Sequence, residues 1–196
     1  MTRTLTARGA AVAIAVAAAL GVGLSACGGG GEAGSSATTT ASQDFNGDDV
    51  MFAQMMIPHH EQAIEMSDIA LDPAVGAGDD VRRLATAIKA AQDPEIAQMM
   101  ALLESWDRPV VPDDGTDHSS MMMGMLSVED LEALGALTGA EFDRAWLEAM
   151  IAHHEGAIEM AEDAAERGAN AEVRALAAVI IAAQQAEIAE MRALLG

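Results

Sequence analysis

Apolar residues return every three and four positions through four stretches of the chain, and the strong helix breakers fall between those stretches. The pattern predicts helices over roughly 47–70, 79–106, 140–167 and 171–195. Asp72-Pro73 with Gly76 and Gly78 turns the chain between the first two, and Arg167-Gly168-Ala169-Asn170 between the last two. The connector from Asp107 to Thr138 carries Pro109, Pro112 and the polar run DDGTDHSS. A short helix is expected at its end, with Ser127 as N-cap and Asp130 at the third helical position.

The two halves are copies of each other. With an offset of 94, Asp49, Phe52, Met56, His59, His60, Glu61 and Met66 align with Asp143, Trp146, Met150, His153, His154, Glu155 and Met160. Past the turn the offset becomes 92, and Gln92, Glu95 and Met99 align with Gln184, Glu187 and Met191. Each copy is a helical hairpin with one apolar face. Two such hairpins bury those faces best against each other, which predicts an all-α fold, a four-helix bundle with a long crossover connector.

On a helical wheel Phe52, Met56, His59, Ala63, Met66 and Ala70 share the inward face, His60 sits at its edge, and Glu61 and Glu65 point away. The third helix repeats this with Trp146, Met150, His153, Ala157 and Met160 inward and His154 at the edge. Gln92, Glu95 and Met99 take the inward stripe of the second helix, and Gln184, Glu187 and Met191 that of the fourth. Amides and carboxylates inside a bundle are costly unless they find partners, and imidazole supplies one. The expectation is an interior polar layer in which His59 or His60 meets Glu95 or Gln92, and His153 or His154 meets Glu187 or Gln184.

Neutral imidazole is a good ligand for copper and zinc, and thioether sulfur is a soft ligand that favours Cu(I). The candidate metal ligands are therefore His59, His60, His153 and His154, with Met56 and Met150 one turn before them. Met66, Met99, Met160 and Met191 lie on the same faces and are further candidates, although methionine also serves as core filler. Gln92, Glu95, Gln184 and Glu187 would orient the histidines from behind. Whether both histidines of a pair bind metal stays open at this level. Only the first copy has prolines inside its helices, Pro58 and Pro94, which suggests that the two histidine sets differ in geometry and affinity. The run Met121 to Met125, with His118 nearby, reads either as a metal-capture segment or as a plug over the bundle.

The start of the chain adds a location. Arg3 and Arg8 precede an apolar run from Ala10 to Gly23 and then Leu24-Ser25-Ala26-Cys27, the pattern of a signal peptide over 1–26. Leu-Ser-Ala-Cys resembles a bacterial lipobox, which implies lipidation of Cys27. That residue is the only cysteine, so no intramolecular disulfide can form. Residues 27–43, rich in Gly, Ser and Thr, make a flexible tether. The folded domain is expected over 44–196, with repeat one at 44–106, the connector at 107–138 and repeat two at 139–196. Loss of Arg3 and Arg8 leaves 8 basic against 31 acidic residues, a net charge near −23, which argues against nucleic acid and for cations as partners. A membrane partner follows only through the lipid anchor, at the outer face of the cell membrane, and no protein partner is legible.

The strings MIPHHEQAIEM and MIAHHEGAIEM, the two Gln-x-x-Glu-Ile-x-x-Met patterns at Gln92 and Gln184, and the stretch GMLSVEDLEALGALTGAEFDRAWLEAMIAHHEGAIEMA resemble the domain of unknown function 305 family over about Asp44 to Gly196. That resemblance implies a ferritin-like bundle and, for some members, extracytoplasmic copper binding and resistance through methionine and histidine. A ferritin-like di-iron or di-manganese oxidase is disfavoured, because Glu95 and Glu187 lack a histidine three residues on. No nucleophile with a Ser-His-acid arrangement and no phosphate-binding glycine loop is present, so the chain is not read as an enzyme. The preferred reading is a tethered copper buffer or carrier, Cu(I) favoured; the alternative is a metal-free helical interaction module of the cell envelope.

Overall fold

The computed structural model describes residues 44–111 and 122–196. The expected signal peptide, Cys27 and the expected tether up to residue 43 lie outside the described residues, as do His118 and Met121. Five helices follow in order: α1 (Gly47–Leu71), α2 (Asp79–Ser105), α3 (Val128–Gly135), α4 (Gly139–Arg167) and α5 (Ala171–Leu195). The boundaries match the periodic segments to within a residue or so. Pro58 and Pro94 sit inside α1 and α2 without interrupting either helix.

The helix starts are set by local chemistry. Asn46 and Asp49 form a reciprocal capping box at α1, and Asn170 accepts from Glu172 N and Val173 N at α5. Ser127 caps α3 by accepting from Asp130 N at 3.1 Å and donates to the Asp130 carboxylate at 2.8 Å, as the connector sequence predicts.

The four long helices form the bundle, α1 packing with α2 and α4 with α5, while α1 against α4 joins the hairpins. Two apolar clusters fill it. One holds Met66, Leu84, Ile88, Phe142, Trp146, Met150 and Met191, and the other Phe52, Met56, Met99, Leu103, Ala157, Val173 and Ile180. Each large side chain fully buried there contributes about 1.5–3 kcal/mol of transfer free energy. Along all four helices the residues between the two clusters are polar: His59 and His60, Gln92 and Glu95, His153 and His154, Gln184 and Glu187. The predicted polar layer is thus a slab across the middle of the bundle.

A pair of aspartates locks one hairpin to the other. The fully buried Asp49 carboxylate of α1 accepts from Ala169 N at 3.0 Å and Asn170 N at 3.1 Å in the α4–α5 turn, and from Asn46 N at 2.8 Å. Its repeat mate Asp143 of α4 accepts from Gly78 N at 3.0 Å in the α1–α2 turn. Trp146 Nε1 adds a bond of 2.9 Å to the Met66 carbonyl, from α4 to α1.

Candidate metal centre

Burial of the four histidines follows from their registers on α1 and α4. His59, His60 and His154 are fully buried and His153 is 1% exposed, while Glu61 and Glu155 face solvent. The outer histidine of each pair turns to its own hairpin: His60 Nε2 meets Glu95 Oε2 at 2.8 Å, and His154 Nε2 meets Glu187 Oε2 at 2.7 Å. The inner two turn to each other, His59 and His153 having ring centroids 3.8 Å apart with the planes inclined by 44°. The sequence pointed to one histidine set per repeat. The fold instead merges them into one cluster, because α1 and α4 are the helices in contact at the centre.

Partners fix the tautomers. Carboxylates and carbonyls only accept, so the neutral rings of His60 and His154 carry the proton on Nε2 and present a lone pair at Nδ1. His59 Nε2–H likewise donates to the Met123 carbonyl at 3.3 Å. The Nδ1 atoms of His59, His60 and His154 and both ring nitrogens of His153 are buried with no hydrogen-bond partner. Burial pushes the His59 ring down to about 3, the neighbouring imidazoles adding to the shift and the Met123 bond opposing it. His153 is held well below its ordinary value by burial first and then by His59, His154 and His60. Neutral, inward lone pairs braced from behind by carboxylates are what metal-binding histidines present.

The connector closes one side of the cluster. Gln62 holds it through two bonds to Leu126, Nε2 to the carbonyl at 2.9 Å and Leu126 N to Oε1 at 2.8 Å. At the repeat-mate position stands Gly156, where a Cβ would lie 1.9 Å from the Met123 carbonyl oxygen. Gly124, at φ +83°, approaches equally closely, since a Cβ there would lie 2.3 Å from the Ala152 carbonyl. Of the methionine run, Met122 is buried, Met123 is 62% exposed and Met125 is half-buried. Of the described part of this run, only Met122 is packed under the connector.

Methionine placement sorts the remaining candidates. Met56 and Met150 are fully buried one turn from the histidines, and Met66, Met99 and Met191 are fully buried inside the apolar clusters. Met160 is half-buried and packs at the edge of one cluster. Gln92 and Gln184 are buried with their Oε1 atoms unpaired. Among the described residues no three His, Cys, Asp or Glu side chains converge on one point. A metal held at this cluster would therefore be bound by two imidazoles, with thioether or peptide oxygen as the further donors at hand.

The profile of the family described as Domain of unknown function (DUF305) matches residues 49–195. The chain belongs to the DUF305 family. Solved DUF305 structures share the fold. A Streptomyces coelicolor protein, inferred in its name to be secreted, is 34% identical with a TM-score of 0.70, over 76% of this chain and 91% of its own. A Deinococcus radiodurans DUF305 fragment is 33% identical with a TM-score of 0.68, over 77% and 97%. CopM in its Cu(I)-bound form is 33% identical with a TM-score of 0.61, over 74% and 94%, and structures of CopM with Cu(II) and with silver match as well. No curated protein matches the chain.

Proposed function

We propose that the protein is a copper-binding buffer or carrier that holds Cu(I) at the histidine cluster between α1 and α4. The observation that carries this reading is that five imidazole nitrogens of the four histidines are buried without partners, with the His59 and His153 rings, one from each repeat, in contact at 3.8 Å. Each buried polar atom left unpaired costs about 1–3 kcal/mol, so such a cluster is expensive as packing alone and sensible as a ligand set. His59 and His153 supply the central nitrogens, His60 and His154 the flanking ones, and Met56 and Met150 the soft sulfur one turn away. Glu95 and Glu187 orient the flanking rings. Thioether donors suit an oxidising compartment, where they cannot form disulfides.

The location proposed with this function is the outer face of the cell membrane, with Cys27 lipidated and residues 27–43 as the tether. The name of the Streptomyces coelicolor relative supports export. Among the described residues no helix is long and apolar enough to cross a membrane. No catalytic role is proposed.

Anaerobic titration of the protein with Cu(I) against a competing chelator tests the reading, beside a variant with His59, His60, His153 and His154 all changed to alanine. Tight binding that the variant loses while staying helical is the expected result. Failure of the parent to compete would overturn the copper reading. The histidines would then be partners of Glu95 and Glu187 in an interaction module, a role that the two His–Glu bonds also suit.

A further inference from the structure

Five of the chain's 14 methionines line two neighbouring cavities at the surface of the bundle. A cavity of about 150 Å³ between α1 and α4 is lined by Met51, Met55 and Met160, and a second of about 170 Å³ by Met55, Met160, Met122 and Met123. The two cavities share the lining residues Met55, Met160 and Asp163 and so lie side by side along one methionine-lined groove. Met51 and Met55 are one turn apart on α1, which places both sulfurs on the same side of that helix. Burial does not account for Met51 and Met123. Met51 is 53% and Met123 62% exposed, whereas Met56, Met66, Met99, Met150 and Met191 are fully buried.

The groove's other donors point to the class of ligand. The carboxylates of Asp48 and Asp163 face Arg167, which pairs with both. Hard cations such as magnesium and calcium need several free oxygens, and here the carboxylates are shared with a guanidinium. Neutral, polarizable thioethers select soft cations instead. Glu159, solvent-exposed on the rim, adds negative charge that attracts a cation without joining the sulfurs.

We propose that this groove is a second site, made of thioethers alone, that takes a soft monovalent cation, Cu(I) or Ag(I), independently of the histidine cluster. The sites adjoin at Met123, which lines the groove and whose carbonyl accepts from His59 Nε2. A cation held in the groove is one residue from the buried imidazoles, so the groove also serves as their loading point.

The test is titration of the full chain, labelled with 13C in the methionine methyl groups, with redox-inert Ag(I), followed by NMR. Resonances of Met51, Met55, Met160 and Met123 should shift together. The same shifts should persist in the His59→Ala/His153→Ala variant. The Met55→Leu/Met160→Leu variant, which conserves volume, should bind one silver ion fewer and leave Met51 unmoved, with circular dichroism confirming its fold. Groove resonances that stay still under excess Ag(I), or shifts that vanish in the histidine variant, would overturn the proposal. Because the histidine variant is measured separately, failure here is distinct from failure of the histidine site.

Discussion

Changing Gly156 to alanine sets two effects of opposite sign against each other. In an exposed helix interior the substitution stabilises by about 1 kcal/mol, because alanine has the better helix propensity. At this position the new Cβ would lie 1.9 Å from the Met123 carbonyl oxygen and 2.6 Å from its carbon, so backbone must move by more than about 1 Å to reach ordinary contact. Overpacking of this kind costs about 1–3 kcal/mol. If the connector lifts instead, the two Gln62–Leu126 bonds and the His59–Met123 bond are exposed to loss at about 1 kcal/mol each. Burial of Met122 goes with them. The clash outweighs the propensity gain, and the variant should lose about 1–3 kcal/mol, or several degrees of Tm for a domain of this size. Gly135→Ala in α3 is the control, since its Cβ would meet only Ile69 Cγ2 at an ordinary 3.8 Å. Thermal and urea unfolding of both variants measures the difference. A Gly156→Ala protein as stable as the parent, or more so, would refute the close docking of the connector on α4.

Three further outcomes are expected. Metal-free protein should weaken in acid. His59 is held neutral with its folded pKa near 3 against an ordinary 6.5, so the unfolded chain binds the extra proton between those values. Stability is complete above about pH 6.5 and falls as pH drops, by roughly 1.4 kcal/mol per pH unit for each such histidine; His153 shifts in the same direction. A flat urea midpoint between pH 7 and 5 would contradict the burial of both rings. Asp49→Ala removes the acceptor of three backbone N–H groups at a fully buried position and should cost about 2–4 kcal/mol by urea denaturation; a loss under 1 kcal/mol would show that the lock between hairpins is unimportant. Glu187→Gln should leave the fold intact while lowering copper affinity ten- to a hundredfold in chelator competition. Unchanged affinity would remove His154 from the ligand set.

Helix positions, the duplication and the Ser127 cap were readable because they depend on spacing and on neighbours in sequence. The polar layer was readable too, since Glu95 and Glu187 share inward stripes that need partners. Choosing between His59 and His60 as that partner was not, because a wheel gives the face of a residue and not the element across from it. The same limit hid the His59–His153 contact, which arises only once α1 packs on α4. Gly156 did carry a signal: a glycine inside a helix, where its repeat mate is Gln62, costs helix stability and marks a close approach. Asp49 and Asp143 stood out as a matched pair, but their acceptor roles involve turns about 65 and 120 residues away. Met51 and Met55 lie off the inward face of the helical wheel, and the groove they line opens outward, so the periodicity of apolar positions carries no sign of it.

X-ray absorption at the copper edge, on Met55→Leu/Met160→Leu protein loaded with one equivalent of Cu(I), tests the central claim most directly. Removal of the groove sulfurs leaves the histidine cluster as the binding place. The account predicts at least two imidazole nitrogens in the first shell, with their outer-ring scattering, and a thioether sulfur beside them. A shell of sulfur alone, or of oxygen without imidazole, would contradict it.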